Sequence, residues 1–387
     1  MLPEGAALAI ISAMRTKSKS ISEILRQEIV SGKFDAEGRL PSEHQLMRRF
    51  SVARETVRGA LKDLTDRELV DRRPGYGTFL ADHASRLATQ RFGVMVPDAF
   101  HPFYARICRG LEDGARRHGY TTLTAALGTG SMHERAVRAA EFADVCLRER
   151  VIGVFLQPLQ FLERAEEFNR TLVAGFEENG IPVVLLDSDY VSPPLRTRHD
   201  LVGIDNTNAG YVLARHLIEA GARRIAYFSR ARSAPTSLLR ANGAGLAVSE
   251  AGLKWGRENI VFCDPNDARA VKRVFSGKSR PDAVIAVNDL YAERLLSTVK
   301  SLGLKVPGDL LLAGVNGDEN AQRTDPPITT MVQPCYEIGT VAVGIMCHRI
   351  AKPTLPPLEA MLSAELVVRE SSTPCRRARK RSEEPHV

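Results

Sequence analysis

The sequence predicts an α/β protein in two parts: a short helix-turn-helix followed by a β-hairpin, then a larger two-lobed domain built on parallel sheets. Three observations point there. The stretch from Leu40 to Phe79, LPSEHQLMRRFSVARETVRGALKDLTDRELVDRRPGYGTF, reads as two short amphipathic helices separated by a tight turn, with two strand-like runs around glycines behind them. From Phe92 onward, apolar β runs alternate with amphipathic helical segments, the rhythm of β–α units that build parallel sheets. At 387 residues the chain is too long for the first module alone, so a second domain is required.

The first helix opens at Pro41 and Ser42. Ser42 can cap it, Gln45 can bond back to the cap, and Leu46, Met47 and Phe50 supply the apolar face. A turn follows at Ser51 to Ala53. The second helix, Arg54 to about Arg67, carries Val57, Leu61 and Leu64 at i, i+4 and i+7, a single buried stripe, and presents Arg54, Glu55 and Arg58 on its other face. Strands at Leu69 to Arg73 and Thr78 to Leu80 flank Pro74-Gly75-Tyr76-Gly77, whose glycines permit a tight hairpin. A helix packed on one side and set with arginines near its start can enter a major groove, where arginine reaches guanine edges and phosphates position the protein. For an isolated amphipathic helix with surface arginines a solvated face is the better reading; the turn spacing and the hairpin reverse that in favour of the groove.

Residues Ile21 to Leu80 resemble the winged-helix domain of the GntR family of bacterial regulators, through L-P-S-E, V-x-R-x-T-V-R-x-A-L and L-V-x-R-R-x-G-x-G-T-F. The resemblance implies DNA contact by Arg54, Thr56 and Arg58 on the second helix and by Gly75 and Tyr76 on the wing. Three positions depart from the pattern. His44 stands where an arginine is common and is kept as a candidate contact, Ala53 replaces a hydroxyl residue, and Glu68 replaces the glycine that eases helix termination.

Composition bounds the remainder. Hydrophobic residues make up 44% of the chain, which excludes disorder for its bulk. The net charge of +7 sits at the ends: residues 1–90 hold 15 Lys and Arg against 12 Asp and Glu, residues 376–387 hold 5 against 2, and residues 91–375 are close to balance at 33 against 32. This suits an acidic polymer partner for the N-terminal module. The basic end, CRRARKRSEEPH, is read as a solvated tail rather than a second nucleic-acid contact. Cysteines 108, 146, 263, 335, 347 and 375 show no C-x-x-C and no histidine at metal spacing, so they read as reduced thiols of a cytoplasmic protein, with no metal and no cofactor. No apolar run approaches the ~20 residues of a membrane span. The apolar stretch Ala6 to Met14 lacks a positive region before it and is a poor signal peptide; Met14 is an alternative translation start.

In the large domain the expected strands are FGVMV (92–96), Tyr120 to Ala126, VIGVFL (151–156) and VVLLD (183–187). A second half then starts with LVGI (201–204) and continues with IAYF (225–228), NIVF (259–262), AVIAV (283–287) and LLLAGV (310–315). In open parallel sheets ligands lie beyond the carboxyl ends of strands, so the residues there are the ones to examine. They are Asp98, Phe103 and Tyr104 after the first strand, Asp187, then Asn288 with Asp289, and Asn316 with Asp318. Carboxylates and amides that pair with vicinal hydroxyls, beside aromatic rings, are what a sugar requires. The alternative for each alone is a helix cap, and Asn206 and Asp289 could be only that.

Phe92 to about Ser372 resembles the effector-binding domain of the LacI/GalR family, a relative of periplasmic sugar-binding proteins. The matching segments include HPFYARICRGLEDGARRHGY, GIDNTNAGYVLARHLIEAGARRIAYF, PDAVIAVNDLYAERLL, DPPITTMVQP and ELVVRESS. By that resemblance Phe103 and Tyr104 flank the ligand, while Asp187, Arg240, Asn288 and Asn316 bind it. The helix from Pro102 is a dimer face, which leaves Arg106, Arg109 and Arg116 at the interface or the surface. No LacI-type hinge helix precedes the domain; the arrangement of a GntR head on this body resembles that of arabinose-responsive repressors.

The expected boundaries are an extension at 1–17, the winged helix at 18–80, a linker at 81–90, the effector domain at 91–372 and a tail at 373–387. The expected function is a cytoplasmic homodimeric regulator, of the repressor kind, that binds double-stranded operator DNA through two heads and a small carbohydrate between its lobes, lobe closure changing the spacing of the heads. A sugar-binding protein without regulatory output is the alternative. An enzyme is disfavoured, because G-x-G-x-x-G, G-x-x-x-x-G-K-[ST] and G-x-S-x-G are all missing and GAG at 243–245 lies within a helical pattern.

Overall fold

Helix propensity and capping set the start of the chain. In the computed structural model, which describes residues 17–26, 28–29, 34, 38–67, 69–73, 76–81, 90–98, 101–128, 130–231 and 233–373, helix α1 (17–26) precedes α2 (Glu43–Phe50) and α3 (Arg54–Asp66). The expected extension apart from residue 17, the linker apart from its two end residues and the basic tail apart from residue 373 therefore lie outside the described residues, as do Glu68 and Gly75. Ser42 and Gln45 form the reciprocal capping box expected of them, and Ser51 ends α2 in the left-handed region at φ 51°. Strands β1 (Val70–Arg73) and β2 (Gly77–Leu80) pair antiparallel in the register Val70↔Leu80 to Arg73↔Gly77, each within one residue of expectation. Gly77, at φ 126°, supplies a backbone conformation that a side chain would resist. Val57, Leu61 and Leu64 are fully buried and join Ile21, Leu25, Leu46 and Val70 in one small core.

The large domain contains two six-stranded sheets. The first has the order β13-β7-β6-β5-β3-β4, with β3 Arg91–Val96, β4 Thr121–Ala126, β5 Gly153–Leu156, β6 Val183–Leu186, β7 Asp200–Ile204 and β13 Glu359–Leu362. The second has the order β14-β12-β11-β10-β8-β9, with β8 Ile225–Ser229, β9 Ile260–Phe262, β10 Ala283–Ala286, β11 Leu311–Asn316, β12 Thr329–Val332 and β14 Glu365–Val367. The helices between them are α4 (Pro102–His118), α5 (Met132–Arg148), α6 (Ala165–Glu177), α7 (Asn206–Glu219), α8 (Pro235–Glu250), α9 (Ala268–Val274), α10 (Asp289–Ser301), α11 (Glu319–Arg323) and α12 (Cys335–Ala351). One expectation is corrected: Asp200–Ile204 does not open the second half but pairs parallel to β6 and β13 in the first sheet. A run buried on both faces looks alike in either sheet, and only its partners assign it. The chain crosses between the lobes three times, after β7, after β12 and between β13 and β14.

Two features fix the parts that hold the cleft. Arg349 on α12 meets Asp200 on β7 in a buried two-pronged ion pair, 2.9 Å and 2.8 Å, anchoring the returning helix to the first sheet. Helices α7 and α8 pack backbone to backbone, since a Cβ on Gly210 would lie 1.9 Å from the Arg240 carbonyl and one on Gly243 1.9 Å from the Thr207 carbonyl. GAG at 243–245 is thus a helix–helix contact within α8, not a nucleotide loop.

Candidate DNA-binding surface and effector cleft

On the winged helix, Arg54 and Arg58 project from the first turns of α3 and are well exposed, as is Tyr76 at the wing tip, whose carbonyl accepts from Arg39 at 3.1 Å. His44 is exposed and lies 3.3 Å from Arg48. Thr56 departs from the expectation of an outward contact. It is only 5% exposed, packed with Val57 on the core side of the helix.

The residue missed by sequence reasoning here is Glu43. It sits in the first turn of α2, yet its carboxylate gathers three arginines from other elements: Arg54 at 2.9 Å, Arg58 at 3.6 Å and Arg72 of β1. Its partial burial acts to raise its pKa, but the bond from Arg54 and the charges of Arg72, Arg54 and Arg58 outweigh that and hold it below the ordinary carboxylate value. Glu43 thereby sets the relative position of the recognition-helix and wing arginines and withholds part of their charge from phosphates. Glu43→Gln is expected to strengthen binding to random-sequence DNA several-fold and to steepen the dependence of log K on log salt by about one. A salt titration of binding checks it, and an unchanged slope would show that the three arginines do not face phosphate.

In the large domain the structure brings all seven ligand candidates to one cavity of about 340 Å³ between the lobes, at the carboxyl ends of the strands. From the first lobe come Asp98, Phe103, Tyr104 and Asp187; from the second come Arg240, Asn288 and Asn316. Phe103 and Tyr104 start α4 in an edge-to-face pair with centroids 5.0 Å apart. Asp187 holds a left-handed backbone, φ 62°, just past β6 and accepts from Gln157 Nε2 at 3.4 Å. Burial raises its pKa, with Arg240 and Gln157 pulling the other way, and burial together with the Asp187 charge raises that of Tyr104.

Arg240 is buried, 6% exposed, and its donors reach Asn206 Oδ1, the Val287 carbonyl at 3.4 Å and the Tyr227 hydroxyl at 3.5 Å. Asn206 is accordingly the residue that orients the arginine, while the cap of α7 is Asp205. Asn288 does both things weighed for it: its side chain caps α10, accepting from Tyr291 N at 2.8 Å, and it lines the cavity. Asn316, at φ 125°, accepts from Gln333 Nε2 at 3.0 Å.

Arg106 is not left as a plain surface residue. It reaches from the first lobe to the Asn316 and Gly317 carbonyls of the second, at 3.3 Å and 3.5 Å, and comes within 3.9 Å of Asp318. Behind that turn Asp289 is almost fully buried, accepting from the Thr330 hydroxyl at 2.6 Å and Asp318 N at 2.8 Å. Burial pushes its pKa up to about 6 against the pull of those two donors. Protonation is thus favoured by folding, and the native state carries a penalty, about 2–3 kcal/mol, that is full above pH 6 and relieved as pH falls toward 4. Asp289→Asn is expected to gain stability relative to the wild type as pH rises from 4 to 6. Chemical denaturation across that window checks this, a pH-independent gap being the contrary result.

Further lining residues were not among the candidates, among them Arg135 on α5, Gln157 after β5 and Gln333 after β12. The two glutamines obey the strand-end rule and were within its reach. Arg135 lies in a helix whose amphipathic pattern hides which polar face meets the cleft.

Comparison with known proteins matches residues 17–80 to the family model "Bacterial regulatory proteins, gntR family" and residues 214–372 to a periplasmic binding protein-like domain. The arabinose metabolism transcriptional repressor of Halalkalibacterium halodurans is 26% identical over 345 residues, covering 86% of this chain and 89% of that protein. The HTH-type transcriptional repressor CytR of Escherichia coli K12 is 27% identical over 282 residues, 72% of this chain and 78% of that protein. The solved structure of a transcriptional regulator CelR–cellobiose complex superposes with a TM-score of 0.63 at 22% identity, over 83% of this chain and 91% of that one. The fold, the cleft and the matched domains define a ligand-responsive, DNA-binding transcriptional regulator, and the relatives named above are repressors. More particularly, the protein joins a gntR-type helix-turn-helix domain to a periplasmic binding protein-like effector domain of the kind found in LacI-family regulators.

Proposed function

We propose that the protein is a cytoplasmic homodimer that occupies an operator through its winged helices, residues 18–80, and is released when a small carbohydrate fills the cleft of residues 91–372. The observation that carries the carbohydrate is the set of acceptors in the cleft. Gln157 Oε1, on a side chain that bonds the Asp187 carboxylate, and Gln333 Oε1, on one that bonds Asn316, are buried without a hydrogen-bond partner, and a ligand rich in hydroxyl donors is what satisfies them. A cavity of about 340 Å³ is at the small end of ligand sites, about 300–1,000 Å³. Ligand groups that touch both lobes stabilise one lobe arrangement over the other, and a differential affinity of about 1–3 kcal/mol suffices to move operator occupancy.

Gel shifts of the chain's own upstream DNA, repeated against a panel of sugars and nucleosides, test the reading. A sugar that releases the DNA and raises the melting temperature supports it; release by a nucleoside alone overturns the carbohydrate. A monomer in sedimentation at micromolar concentration, with or without DNA, overturns the dimer.

A further inference from the structure

We propose that the effector is a sugar acid whose carboxylate is held by Arg135. The inference rests on the carbohydrate reading above and specifies it. Arg135 stands in the first turn of α5 with its guanidinium at the cavity wall, and its Nε is buried with no hydrogen-bond partner. Among the described residues it forms no ion pair. Of the other charges of the wall, Asp187 lies in the field of Arg240, whose guanidinium is already bonded to Asn206 and the Val287 carbonyl, Asp98 is not free, and Arg230 stands exposed at the mouth. Arg135 therefore presents a half-buried guanidinium at the wall with its Nε unsatisfied. A buried donor without a partner is costly, which makes it evidence of an acceptor that arrives from outside.

The position strengthens the case. The first turn of a helix is the positive end of its macrodipole, where a cation is repelled and an anion attracted. A carboxylate seated against Arg135 meets a guanidinium carried at the start of α5. At the rim, Arg230 stacks 5.6 Å over the Phe161 ring from the opposite lobe, adding a second positive charge at the mouth. The remaining orphans, Gln157 Oε1 and Gln333 Oε1, accept and so need hydroxyl donors rather than a second anion. One anionic group on a polyhydroxylated body satisfies the set, and a planar carboxylate matches the paired donors of a guanidinium as a neutral hydroxyl does not.

The test is calorimetric titration of the full-length protein with matched series: galactose, galacturonate and galactonate; glucose, glucuronate and gluconate; arabinose and arabinonate; and galactose and glucose 6-phosphates. At least one carboxylate should bind ten-fold or more tightly than its neutral counterpart. Arg135→Gln should erase that preference, lowering the affinity of the acid at least ten-fold, with Arg135→Lys intermediate and both variants melting as cooperatively as the wild type when unliganded. A neutral sugar binding as tightly as its acids, a sugar phosphate binding tightest, or an acid insensitive to Arg135→Gln overturns the proposal. In the first two cases, loss of that binding in Asp187→Asn leaves the carbohydrate cleft standing. If no member of any series binds or moves the melting temperature, the carbohydrate reading falls with it.

Discussion

Replacing Arg240 with alanine is expected to yield a protein that stays on its operator at effector concentrations that release the wild type. Arg240 is the buried cation of the cleft, its guanidinium fixed by Asn206, the Val287 carbonyl and Tyr227, and its charge favours the ionised form of Asp187 on the other lobe. The truncation removes a donor aimed at the ligand, strips Asp187 of its compensating charge and leaves Asn206 Oδ1 unpaired, so effector affinity should fall about a hundredfold or more. Some stability is lost as well, about 1–3 kcal/mol, because buried polar partners are orphaned. Denaturation of the variant separates this from the regulatory effect. Gel shifts with increasing effector decide the matter: if Arg240→Ala dissociates at wild-type concentrations, the effector does not sit in this cleft.

The other large effect belongs to the reading head. Arg54→Ala and Arg58→Ala should each cost about 1–3 kcal/mol of operator binding, with loss of discrimination where the side chain meets a base and a shallower salt dependence where it meets phosphate. Neither side chain is part of the core of Val57, Leu61 and Leu64, so folding should be preserved. Thr56→Ser, by contrast, tests a packing position, and the burial of Thr56 leads to a small effect on binding and a measurable one on stability. Operator affinity unchanged in the Arg54, Arg58 double variant, with a wild-type melting curve, would remove this helix from the groove.

Much of the architecture was legible before any coordinates. The Ser42–Gln45 cap, the Val57, Leu61 and Leu64 stripe and the glycines of the wing are local signals, carried by residues within one turn of each other, and the elements formed where those signals placed them. The strand-end rule reached the cavity because parallel strands deliver their carboxyl ends to one edge of a sheet, so Asp98, Asp187, Asn288 and Asn316 share a wall despite their distance in sequence. The same rule contained Gln157 and Gln333, which a preference for carboxylates and asparagines passed over.

What the sequence determined by itself was therefore periodic and local: helices, strands, caps, the two-part organisation and the candidate residues at strand ends. What only the tertiary structure decided was pairing. It assigned Asp200–Ile204 to the first sheet, brought Glu43 under Arg54, Arg58 and Arg72, turned Arg106 across to the Asn316 and Gly317 carbonyls, and left the Arg135 Nε at the cleft without a hydrogen-bond partner among the described residues. The physical reason is that hydrophobic periodicity specifies which face of an element is buried, but an ion pair or a strand partner depends on which distant element arrives at that face, and electrostatic partnership has no period for a sequence to display.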